Sequence, residues 1–166
     1  MTFRRVSAIC AAVVFSFSVL AKDGGPGFSG KWEVDKSQST ATSDIPDGLQ
    51  EQIKQKGSEL LIQSKWKEPQ NGIAPLVLLG VMTTELKLKT DGSQDNTQIG
   101  PFMATTSTSQ DGDAMVTKWQ TNANGEAVTG EWRRSLSPDG KTMTLDIQQT
   151  TASGKNGNAK LVFKRK

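Results

Sequence analysis

The sequence predicts an all-β protein: an antiparallel up-and-down barrel of about eight strands, with one short helix after the first strand. Three observations carry this expectation. Turn signals recur at Asp91-Gly92, Asp111-Gly112, Asn124-Gly125, Asp139-Gly140 and Gly154-Lys155-Asn156-Gly157. Such pairs favour positive φ and tight hairpins. The segments between them alternate apolar and polar residues, the period of a strand with one buried face. The chain has 166 residues, a length that suits one domain and lets a core hold it without disulfides.

Composition removes several functional classes. There is no His, and the only cysteine is Cys10. The usual zinc and haem ligands are therefore missing, as are a His-based triad and a histidine acid–base pair. No nucleophile–base pairing stands at a telling spacing, and Glu85, Glu131 and Asp146 fall on outward phases. The chain is read as a non-enzyme without a cofactor. Net charge is +3, and like charges form a block only at Lys164-Arg165-Lys166. That is no basic stripe for nucleic acid. Asp111-Gly112-Asp113 looks like a piece of a calcium loop but lacks the closing Glu, and Asp91, Ser93, Asp95 and Asn96 read as a solvated loop. No metal site is expected.

The elements follow in order. Residues 1–21 read as a Sec-type signal peptide: Arg4 and Arg5, then an apolar stretch from Val6 to Leu20, then Ala21 as a small cleavage residue. The stretch is shorter than the ~20 residues of a spanning helix, so no membrane span is expected after cleavage. The expected address is extracytoplasmic, periplasmic or secreted. Residues 22–27 read as a flexible Gly-rich leader, and 28–166 as the barrel domain. Residues 28–35 form the first strand. Ser43 or Asp44 could cap a helix with Pro46 in its first turn, Leu49 and Ile53 inward and Gly57 at its end. Further strands are expected at 58–67, 76–89 (one strand, or two with a break), 101–110, 114–122, 127–136, 141–151 and 158–165. In the segment 127–136, Val128, Gly130, Trp132, Arg134 and Leu136 share a face, and in 141–151 Met143, Leu145 and Ile147 do. The run Ile73–Met82 is ambiguous: a buried strand, or a short helix or flap over a cavity, with Pro75 and Gly80 against a regular helix.

The first strand reads Phe28-Ser29-Gly30-Lys31-Trp32-Glu33-Val34-Asp35-Lys36-Ser37, and Ser39 follows. Later come Asp91-Gly92, then Leu136-Ser137-Pro138-Asp139-Gly140-Lys141, then Leu161-Val162-Phe163-Lys164. In this order and spacing the chain resembles the lipocalin-like (calycin) β-barrel proteins, and most closely a bacterial set of secreted members. The resemblance covers residues 28–166. It implies a barrel around an apolar cavity, small hydrophobic or amphipathic ligands and no catalysis in most members. It also implies that Trp32, of the Gly30-x-Trp32 motif, packs at the closed end of the barrel beneath an Arg from a late strand. Arg165 is the best match for that Arg.

Candidate ligand residues come from inward faces. Arg134 shares its phase with Trp132. A buried guanidinium needs a partner, and its planar fork suits a carboxylate, so an inward Arg134 would favour an acidic ligand such as a fatty acid. Otherwise it reaches solvent at a rim, pairs with an acidic residue of the chain, or is turned outward by a bulge at Arg133. Trp66, Trp119 and Trp132 suit an apolar wall or ordinary core. Met103, Met115 and Met143 could line a malleable cavity. The expected function is an exported, non-enzymatic binding protein for a small hydrophobic or amphipathic molecule. The alternative is a filled barrel acting through its surface as an envelope interaction or inhibitor protein, with 73–82 as an exposed contact patch. Oligomeric state and ligand identity stay open.

Overall fold

Glycine turns and a run of long ladders organise the chain. A computed structural model describes residues 27–67 and 76–166. The segment expected as a signal peptide, most of the expected leader, Cys10 and the start of the apolar run lie outside the described residues. Eleven strands form one antiparallel sheet: β1 (Gly30–Val34), β2 (Thr40–Ala41), β3 (Gln50–Lys56), β4 (Glu59–Lys65), β5 (Glu85–Lys89), β6 (Gln94–Ile99), β7 (Phe102–Asp111), β8 (Ala114–Ala123), β9 (Glu126–Leu136), β10 (Thr142–Thr151) and β11 (Asn156–Arg165). The path runs β5-β4-β3-β1-β11-β10-β9-β8-β7-β6, and β2 pairs with β11 off this path. β5 and β6 end the path, and a short turn through Asp91 and Gly92 links them. The result is a nearly closed barrel. Lys89 and Asp95 meet across that seam at 3.4 Å.

The alternation seen in the sequence sets the register. On β10, Met143, Leu145 and Ile147 are buried, and on β9 Val128, Trp132 and Arg134 are. Their ladder pairs Leu145 with Arg134 and Ile147 with Trp132, so both sets share the interior. Asn124, at φ 56, and Gly125, at φ 81, make the β8–β9 turn, a two-residue hairpin with both central residues at positive φ.

Three sequence expectations are corrected here. The strand count is eleven because β2, β3 and β6 fall outside the eight expected segments; β6 gave no strand signal. Its residues Gln94 to Gln98 are polar all round, and only Ile99 is buried. The expected helix is absent: within 43–57 the chain forms β3, and only single 3-10 turns occur among the described residues. Leu49 and Ile53 are buried as expected, but in strand phase, with Glu51 buried between them at period two. Pairing with β1 on one side and β4 on the other satisfies the backbone of β3. Gly57, at φ 57, turns the β3–β4 hairpin and caps no helix. The expected strand 76–89 divides into a 3-10 turn at Leu76–Leu78, a turn to Met82 and the short strand β5.

Segment 76–82 lies against the interior. Val77, Leu78, Leu79, Val81 and Met82 are all buried and belong to the main core cluster. It is therefore no exposed contact patch. Instead of a ladder, its fixed points are Met82 N–H to Leu78 O at 2.9 Å, Thr83 Oγ1 to Leu79 O at 2.6 Å and Gly100 N–H to Thr83 Oγ1 at 2.8 Å. No helix among the described residues is long and apolar enough to cross a membrane.

Candidate functional site

The Gly-x-Trp motif builds one end of the barrel. Trp32 is fully buried and donates Nε1–H to Phe28 O at 2.8 Å. Arg165, its ladder partner, stacks its guanidinium 4.4 Å from the Trp32 ring. The same guanidinium donates to Gly140 O, Ser29 O and Gly27 O at 2.8, 2.9 and 2.8 Å. Gly30 has φ 150, and a Cβ there would stand 2.9 Å from Arg165 Nη1. A side chain at 30 would push the arginine off the tryptophan. Asp35 caps the following 3-10 turn through the N–H and Oγ–H of Ser37. These bonds, with Lys164, hold its carboxyl down at about 2. Ser39 Oγ accepts from Val162 N–H at 2.9 Å, which lets β11 pass from β1 to β2.

Next along the row from Arg165 and Trp32 comes Glu51, and then Ser64: Trp32 faces Glu51 in the β1–β3 ladder, and Glu51 faces Ser64 in the β3–β4 ladder. Both face the interior and are buried. From the far wall Arg134 reaches Glu51, with Nη2 to Oε1 at 3.4 Å. The two residues are 2 % and 1 % exposed. Glu51 Oε2, Arg134 Nε and Ser64 Oγ are buried without a protein partner. Burial raises the Glu51 carboxyl above its usual range, and the Arg134 charge only partly offsets that.

Arg134 thus faces inward, but it already has a carboxylate. The argument that its charge favours an acidic ligand loses its basis. Sequence reasoning missed Glu51 because its segment was read as a helix. In strand phase with Ile53 it would have pointed inward. Ser64 carried no signal beyond its phase with Ile62.

Above this pair the wall is aromatic. Trp119 and Trp132 stack tilted, with ring centroids 5.5 Å apart. Each lies over a glycine. A Cβ at Gly130 would stand 2.4 Å from the Trp119 ring, and one at Gly80 would stand 2.3 Å from the Trp132 ring. Segment 76–82 therefore covers Trp132 directly. Trp119 Nε1 and Gln149 Oε1 are also buried without a partner. Met115, beside Arg134 in the β8–β9 ladder, is buried, and Trp66 is half-buried against the core. Met143 is core, whereas Met103 is 65 % exposed and lines no interior cavity.

The grooves formed by described residues lie on the outside of the sheet. One of about 500 Å³ is lined by Thr105, Ser107, Lys118, Gln120 and Glu131. Another, of about 430 Å³, is lined by Lys31, Gln52, Gln63 and Glu85 over β1, β3 and β4. Among the described residues no cluster of His, Cys, Asp and Glu could hold a metal ion.

No family model and no curated protein matches the chain. Among solved structures it is similar to a secretory abundant heat soluble (SAHS) protein from Ramazzottius varieornatus: 13 % identity, TM-score 0.49, covering 87 % of this chain and 98 % of that one. It is also similar to secretory abundant heat soluble protein 4 from the same organism: 12 % identity, TM-score 0.48, covering 86 % and 96 %.

Proposed function

We propose that this protein is an exported, non-enzymatic binding protein that encloses a small hydrophobic or amphipathic molecule in its barrel. The observation that carries the reading is segment 76–82. Eight strands leave an interior that side chains just fill, and diameter grows with strand number. The path here has ten strands. Its extra width is taken up by apolar side chains from outside the sheet, held by few hydrogen bonds over Trp132. A bound molecule would displace that segment and take its place against the wall of Trp119, Trp132 and Met115. Burial at roughly 25 cal/mol per Å² of apolar surface would supply its affinity.

The test is native mass spectrometry with organic extraction on protein expressed as the full chain, followed by tryptophan fluorescence with a panel of amphiphiles. A co-purifying apolar molecule, or a saturable fluorescence change, supports the reading. A bare protein whose fluorescence no probe alters overturns it. The second reading, a filled barrel acting through its surface, is favoured by the grooves on the outer face. It would then replace the first.

A further inference from the structure

The polar groups at the floor of the barrel define what kind of molecule could lie there. Glu51 and Arg134 come from walls separated in the sheet by β1, β11 and β10. Their charges cancel, yet each keeps one unused atom. Glu51 Oε2 is left with no donor, and Arg134 Nε–H with no acceptor. Ser64 Oγ, opposite Glu51 on the neighbouring strand, is unused as well and can do either. Buried polar atoms in natural interiors are almost all paired. Three unpaired ones, two on an ion pair and one on the serine that faces Glu51 across the β3–β4 ladder, make a recognition set with one donor, one acceptor and one hydroxyl.

We infer that Glu51, Arg134 and Ser64 seat the head group of the bound molecule, and that this head group is uncharged and carries both a donor and an acceptor. A primary amide is the simplest match, and an alcohol is a smaller one. The amide N–H meets Glu51 Oε2, and its C=O meets Arg134 Nε–H. A carboxylate would instead bring a second anion to a guanidinium that already has one. An ammonium would bring a second cation to the single carboxylate. Either leaves a net charge among buried side chains, which costs more than an unpaired dipole. The apolar tail then runs from the floor, beside Trp32, toward Trp119 and Trp132. This inference rests on the binding reading above and extends it to the class of molecule.

The test uses one chain length and five probes: octanamide, 1-octanol, octanoate, octylammonium and octane, each titrated against tryptophan fluorescence at neutral pH. Octanamide and 1-octanol are expected to bind at least tenfold more tightly than octanoate and octylammonium. Ser64→Ala, which leaves the ion pair in place, is expected to weaken octanamide three- to tenfold and to leave octane unchanged. Equal affinities, or a preference for octanoate, overturn the head-group assignment and leave the binding reading standing. If octane binds and Ser64→Ala weakens it as much as octanamide, the head group does not sit at Ser64 and the assignment fails. If none of the five binds, both readings fail.

Discussion

Removing either Glu51 or Arg134 leaves the other charge buried in a low-dielectric interior with no partner. Breaking such a pair from one side costs about 3–5 kcal/mol, whereas replacing both members by apolar residues of similar volume is often neutral or stabilising. Glu51→Leu and Arg134→Met are each expected to lower stability by about that amount. The double variant is expected to return to wild-type stability or exceed it, with the two effects strongly non-additive. Urea unfolding of the four proteins checks this, and additive losses would mean that the two side chains do not act as a pair. At this scale half of the site was legible. Arg134 shares its phase with Trp132, so its inward direction could be read from alternation. Its partner could not, because Glu51 lies in another ladder, 83 residues away in the chain. Pairing across a barrel leaves no trace in local periodicity. The Trp32–Arg165 stack was suggested by resemblance and not by pattern, and it depends on Gly30 through a clearance that no hydropathy pattern records.

At the scale of elements, the long strands β7 to β11 were legible because glycine turns separate them and β8 to β11 bury mostly apolar inner faces, while β7, which buries Ala104, Thr106 and Thr108, was legible from its turns and its Thr-rich β propensity. The misses share one cause: tertiary pairing decided where local pattern was weak. Strand β6 is polar and lies at the seam, and β3 carries a charge on its inner face. Segment 76–82 is apolar all round, and such a run does not distinguish strand from plug. Its backbone is held at few points, so its stability should fall below that of the ladders. Hydrogen exchange is expected to reach the amides of 76–82 well before those of β8 to β11. Gly80→Ala sharpens this. The added methyl would overlap Trp132, which is itself packed on Trp119 and cannot retreat easily. Overpacking of this kind costs about 1–3 kcal/mol. Protection is expected to fall in 76–82 while the β8–β11 amides keep theirs. Equal loss across both would show that the segment is one cooperative unit with the sheet.

The whole molecule is two meanders joined by the long-range ladders that β1 and β2 make with β11. Strands β6 to β11 pair in chain order through short turns, and so do β3, β4 and, after the 76–82 segment, β5. Strand β1 joins the two by lying between β3 and β11. That junction brings together residues up to 138 apart in the chain. Closing such loops is entropically slow, and all-β proteins rich in non-local pairs fold over milliseconds to seconds. Refolding followed by tryptophan fluorescence is expected in that range. The hairpins of the larger meander can form before the junction, so their contacts should be present in the transition state and those of the junction should not. Val128→Ala, inside the β8–β9 hairpin where Val128 faces Thr121, is expected to slow folding. Val34→Ala, in the β1–β11 ladder where Val34 faces Phe163, is expected to leave the folding rate nearly unchanged and to speed unfolding. Chevron plots of the two variants separate these effects. If Val34→Ala slows folding as much as Val128→Ala, the junction forms early. The barrel would then close around β1 first, with the floor of Trp32, Glu51 and Arg165 in place before the aromatic wall is packed.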